Sequence, residues 1–150
     1  MSIWFYLEDA NKLISLQPEA KDSIEKLYPK LLSLHCQGNG GFEIYFRGEN
    51  LYYRIIGPNY EEDTNEHHRL LIGDFHSKTW YYLGIEHEPQ RMIGKAHINI
   101  VINNEYKRSI NFEYPKIPQN AAITKFTIGE NLIGRISSAI LFKQSIGQAK

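Results

Sequence analysis

The chain has 150 residues and a mass of 17.5 kDa, room for one domain with a real core. Its seventeen basic and seventeen acidic residues cancel, which argues against general nucleic-acid binding through phosphates and against electrostatic docking on anionic lipid. Cys36 is the one cysteine, so a disulfide framework and a cysteine-rich zinc site are excluded within the chain, and with no Asn-x-Ser/Thr acceptor the reading is cytoplasmic.

Twenty Ile, ten Tyr and seven Phe stand against seven Ala and a single Val, a balance that favours pleated strands over helices. No apolar run approaches the roughly 20 residues that span a bilayer, and the opening lacks the pattern of a signal peptide. Met1-Ser2 leads straight into Ile3–Leu7, a strand. Residues 1–150 therefore read as a single domain that is a fragment of a longer chain.

After a polar turn at Glu8–Asn11 comes a short Leu13–Leu16 segment. Pro18 to Lys30 carries the one helical pattern, with Ala20, Ile24 and Leu27-Tyr28 at helical spacing and Pro29 as its stop; a surface insertion is the equal alternative. Leu31–Cys36 is the next strand. The Gln37–Gly41 cluster is a turn, followed by a hairpin with arms Phe42–Arg47 and Leu51–Ile56 around Gly48-Glu49-Asn50. Tyr60–His68 is a charged loop, and Arg69–Ile72 a short strand. Trp80–His87 and Ala96–Ile102 are long strands. Asn103-Asn104 forms a tight turn, read as type I′, into Tyr106–Phe112. Ile123–Ile128 and Ile133–Phe142 close the series. Ten strands spaced by turn signals, with at most one short helix, predict an all-β antiparallel sandwich or jelly roll.

Side chains alternate faces along a strand, so parity sorts core from surface. Ile98, Ile100 and Ile102 share one face, as do Leu83 and Ile85 with Tyr81 and His87, and Phe42, Ile44 and Phe46. The opposite parity carries Tyr45, Arg47, Tyr52, Arg54, Tyr82, Glu86, His97 and Asn99. Tyr and Arg give large contact area at low entropic cost, so these eight are the candidate ligand- or partner-binding residues. The plainer alternative is a solvated face, or one covered by a further layer. Trp80 has outward parity, yet a large aromatic at a strand start reads better as a packing anchor.

Motifs for chemistry are absent. His35 and Cys36 are strand neighbours and point apart, so Cys36 reads as a buried structural cysteine. The Glu61–His68 loop lacks the oxygen spacing of a hard-cation site, and Gly38–Gly41 lacks the ending of a phosphate loop. Glu43 and Glu86 would share the polar face, but no paired strand signature of a glycosidase accompanies them. No catalytic residue, metal site or cofactor is expected, and the chain reads as non-catalytic.

Trp80-Tyr-Tyr-Leu83-Gly-Ile85-Glu-His87, then Ala96–Asn104, Tyr114-Pro115, Ile128-Gly129 and Gly134-Arg-Ile136 before Ile140-Leu141-Phe142, resemble in their order a concanavalin A-like (laminin-G-like) module. The resemblance is to that module in BEACH-family scaffolds, the neurobeachin and beige group with its fungal homologues. It implies a sandwich of two curved antiparallel sheets inside a very large cytoplasmic protein. It further implies a role in vesicle trafficking and protein sorting, with peripheral membrane association only through the parent protein. The implied partner is a protein or a neighbouring domain of the same chain, with an oligosaccharide as the alternative and no nucleic acid. The galectin order of sugar-binding residues is not matched, since Trp80 precedes His97.

Overall fold

The structure, a computed structural model, describes residues 1–9, 28–38, 40–57, 69–88, 96–110, 112 and 120–141. Ten strands run in chain order: β1 (Ser2–Leu7), β2 (Lys30–Cys36), β3 (Gly40–Arg47), β4 (Asn50–Ile56), β5 (Arg69–Asp74), β6 (Thr79–Glu88), β7 (His97–Ile102), β8 (Glu105–Ile110), β9 (Ile123–Glu130) and β10 (Gly134–Ile140). They form a front sheet in the order β10-β1-β6-β7-β8 and a back sheet in the order β5-β4-β3-β2-β9. All eight pairings are antiparallel. The all-β sandwich expected from the sequence is what the chain forms. No helix occurs among the described residues. Residues 18–27 of the helical pattern, the 13–16 segment and the 60–68 loop lie outside them; of the rest, Tyr28 and Pro29 are not helical and Lys30 opens β2.

The sheets pack through the residues that parity assigns inward. The front sheet contributes Ile3, Phe5, Leu7, Leu83, Ile85, Ile98 and Ile100, and the back sheet Leu32, Ile44, Phe46, Leu51, Tyr53, Ile55 and Ile72, all buried. Burying each such side chain is worth about 1.5–3 kcal/mol. Phe5 ties the layers together: its ring lies 5.8 Å from Phe46 and 5.6 Å from Phe75, edge-on or tilted as the ring quadrupoles prefer. Cys36 is buried and unoxidised, in line with a structural role.

Turns follow the residues that can form them. Gly48, at φ 63°, closes the β3–β4 hairpin. Between β7 and β8 only Asn103 takes a left-handed φ, at 52°. Type I′ needs two such residues, so that expectation for Asn103-Asn104 is corrected. Asn103 also anchors β6: its backbone N–H donates to the Tyr82 carbonyl at 2.8 Å, and its Oδ1 accepts from the Tyr82 N–H at 2.9 Å. β8 ends at Ile110, short of the predicted Phe112, and Phe112 leaves the strand to enter the core.

Candidate functional site

The eight candidate residues do not form one surface. Tyr45, Arg47, Tyr52 and Arg54 lie on β3 and β4, outward on the back sheet. Tyr82, Glu86, His97 and Asn99 lie on β6 and β7, outward on the front sheet. The core separates the two sets. Glu43 and Glu86 are separated in the same way, so they cannot flank one substrate.

On the back sheet the outward residues hold each other. Glu43 is 1% exposed although its parity is outward. One of its carboxylate oxygens lies 2.9 Å from Lys30 Nζ and 3.1 Å from His35 Nε2. The other accepts from Arg54 Nη2 at 2.7 Å and from Arg54 Nε at 3.0 Å, a forked pairing that fixes the guanidinium. The pairs Lys30–Tyr45, Ser33–Glu43 and Glu43–Arg54 across β2, β3 and β4 bring these groups together. A register shift between Lys30 and Leu32 against β3 accompanies the placing of Lys30 beside Tyr45. Burial pushes the Glu43 carboxyl up, but Arg54 and Lys30 outweigh it and hold it at about 2. A carboxyl so acidic stays ionised near neutrality and is suited to holding cations, not to trading protons.

Tyr45 is buried as well, which corrects its reading as an exposed contact. Its ring is stacked between Tyr28 at 5.8 Å and Tyr52 at 5.6 Å, with the Arg54 guanidinium 5.2 Å from its centroid. Arg69 lies 5.5 Å from the Tyr52 centroid. Of the four back-sheet candidates only Arg47 is exposed. Tyr45, Tyr52 and Arg54 thus form a cross-strand brace, and Arg47 lies outside it.

The front sheet differs. Trp4 and Tyr82 face each other across β1 and β6 with ring centroids 5.3 Å apart, and Tyr6 and Trp80 do the same one pair along, at 5.6 Å. Trp4 and Trp80 are each 45% exposed, and they are the chain's only two tryptophans. Trp80 thus follows its outward parity and is not the packing anchor expected from its place at a strand start. Arg135 on β10 lies over Tyr6, 5.8 Å from its centroid. Beside the rings, Asn99 Nδ2 donates to Glu86 at 3.2 Å, and Tyr106 donates its hydroxyl proton to Asn99 Oδ1 at 2.8 Å. His97 Nε2 lies 3.4 Å from Glu88. Tyr82, Glu86, His97 and Asn99 therefore belong to a surface of four aromatic rings edged by a polar row.

Sequence reasoning left out Trp4, Tyr6 and Arg135. The signal for the first two was present: with Ile3, Phe5 and Leu7 inward, alternation turns Trp4 and Tyr6 outward. Their partners in β6 depend on long-range pairing, which alternation does not encode.

Among the described residues, no group of three or more His, Cys, Asp or Glu could hold a metal ion, and no helix is long and apolar enough to cross a membrane. No family model matches the chain, and no solved structure matches it with significance. The chain is similar to a BEACH domain-containing protein. That relative is lvsE of Dictyostelium discoideum, 25% identical in a 131-residue alignment that covers 83% of this chain and 6% of the relative. The chain thus spans a small fraction of that protein's length. The likeness is a weak one to a BEACH domain-containing protein, and no family model adds a concanavalin A-like module to it.

Proposed function

We propose that this chain is a non-catalytic interaction module of a large BEACH-type scaffold acting in vesicle trafficking and protein sorting in the cytoplasm. It holds its partner on the outer face of the front sheet. The observation that carries the proposal is the doubled aromatic pair on adjacent strands, Trp4 with Tyr82 and Tyr6 with Trp80, with both tryptophans 45% exposed. Exposed contiguous aromatic surface marks binding sites, and Trp and Tyr are the side chains that most often carry binding energy. The partner is a protein, or a neighbouring domain of the parent chain, that lays an extended segment with aliphatic or proline side chains across the rings. Membrane association, in this reading, comes through the parent protein.

Both tryptophans sit on the proposed surface, so their fluorescence reports its occupancy directly. Peptide-array ligands titrated against the chain should shift the tryptophan emission to the blue. Trp4→Ala/Tyr82→Ala, which keeps Trp80 as reporter, should weaken binding by at least about tenfold, while Arg47→Ala on the other sheet should leave it unchanged. Ligands that bind the aromatic variant as well as the wild type would remove the front sheet from the proposal.

A second reading, oligosaccharide recognition, rests on the Glu86–Asn99–Tyr106 row beside the rings, since a sugar needs directional polar partners as well as a stacking surface. Glycan arrays with and without calcium decide between the two. A glycan that shifts the tryptophan emission and displaces the peptides supports this second reading, and no binding above background sinks it.

A further inference from the structure

We propose that β9 is a self-association edge, through which two copies of this chain join their back sheets antiparallel about a two-fold axis at Thr127. This inference is independent of the aromatic face, which lies on the other sheet.

β9 ends the back sheet, hydrogen-bonded to β2 on one side. Phe126 and Ile128 pair with Leu34 and Leu32 and so share the core-facing parity, yet they are 43% and 42% exposed. Ile123, opposite Cys36, is 61% exposed. The other sheet edges are better protected. β5 shows Leu71 among Arg69 and Asp74, and β8 shows Tyr106 between Glu105 and Lys107. β10 carries Arg135, Ser137 and Ser138, exposes an apolar side chain, Ile140, at its end, and is interrupted by a register shift against β1. Among the described residues no strand lies on the other side of β9, and its apolar side chains are exposed, the pattern that invites strand pairing.

The sequence of β9 selects a second copy and fixes the register. Pairing with β2 skips Thr124, and Gly129 has a φ of 73°, so the regular stretch runs from Lys125 to Ile128. Opposite residues in a continuous antiparallel sheet share a face, so the axis passes through a residue or between paired residues of equal parity. With the axis at Thr127, Phe126 meets Ile128 of the other copy twice, and Lys125 meets Gly129, which has no side chain to oppose it. Moving the axis to Phe126 sets Thr124 against Ile128. Moving it to Ile128 sets Phe126 against Glu130, and moving it to Lys125 sets like charges face to face. Axes at Phe126 and Ile128 set one apolar residue against its own copy, but the Thr127 axis makes two Phe126–Ile128 pairs and opposes no like charges. The chain's zero net charge adds no long-range repulsion between copies.

The test is sedimentation of the 150-residue chain over a wide concentration range, together with two cysteine variants. The wild type should pass from monomer to dimer as concentration rises, and Phe126→Lys should weaken the dimer by at least about tenfold. At the axis, Thr127 of the two copies would have Cα atoms about 4.5–5.5 Å apart, within reach of a disulfide. Thr127→Cys should therefore yield a disulfide-linked dimer on mild oxidation. Lys125→Cys should not, because the two copies of that position would lie on the order of 13 Å apart along the strands. Should Phe126→Lys fail to fold, the cysteine pair still decides. A wild type that stays monomeric throughout overturns the proposal and leaves the edge to a strand from another protein. Equal cross-linking at both positions also overturns it.

Discussion

Glu43 shows how one side chain can turn an outward position into an interior one. It meets Lys30, His35 and Arg54 together, and its carboxyl is held at about 2 against an ordinary value of 4.5. The folded state therefore binds this proton less readily than the unfolded chain does. The stabilisation is complete above about pH 4.5 and is lost as the pH falls through about 2, and the shift corresponds to about 3 kcal/mol. Glu130, which Lys125 and Lys30 also hold below the usual carboxylate range, adds to the same acid-side slope. Melting temperature should thus fall steeply between about pH 5 and pH 2. Glu43→Gln should flatten that fall and destabilise the chain at neutral pH by about 3 kcal/mol, because Lys30 and Arg54 lose the carboxylate they share, although Lys30 keeps Glu130 3.7 Å away. Thermal melts across that range check both outcomes. A variant as stable and as acid-sensitive as the wild type would show that the cluster contributes nothing.

At the scale of strands, alternation made most of the fold legible. The sequence showed every strand as a separate apolar or alternating run, and parity sorted Ile98, Ile100, Leu83, Ile44 and Phe46 inward as the core requires. It did not show which sheet a strand joins. Tyr45 and Tyr82 have the same outward parity, yet a sandwich has two outer faces, and only long-range pairing separates them. That pairing inserts β1 between β10 and β6 and sets β9 beside β2. Nor does parity report what lies over a face: Tyr28 covers Tyr45, a contact between residues far apart in sequence. Pairing is enforced where a glycine lets backbones close up. A methyl group built at Gly134 would run into the Tyr6 carbonyl of β1. Gly134→Ala should push β10 away from β1 and cost about 1–3 kcal/mol, read by denaturant unfolding. Trp80→Ala tests the opposite case. With its ring half in solvent against Tyr6, the loss should be about 1–2 kcal/mol, well below that of a buried aromatic, which is about 3–5 kcal/mol.

For the whole molecule, the sandwich divides its work between its two outer faces. The back face is braced by the Glu43 cluster and the Tyr28–Tyr45–Tyr52 stack, while the front face keeps two tryptophans about half in solvent, each packed on a tyrosine. Between them lies a core about 10 Å thick. A charge substitution on the back and a ring substitution on the front share no partner across that layer, so their effects on folding should add. The free energy of unfolding lost in Glu43→Gln/Trp4→Ala should equal the sum of the single losses within about 0.5 kcal/mol. Binding should respond differently, since Trp4→Ala removes part of the proposed surface and Glu43→Gln touches none of it. At a temperature where both variants are folded, ligand affinity should fall in Trp4→Ala and hold in Glu43→Gln. A coupling energy above about 1 kcal/mol, or an affinity that follows Glu43, would mean that the two sheets move as one unit. The back-face brace would then be setting the shape of the front face through the packed rings of Phe5, Phe46 and Phe75.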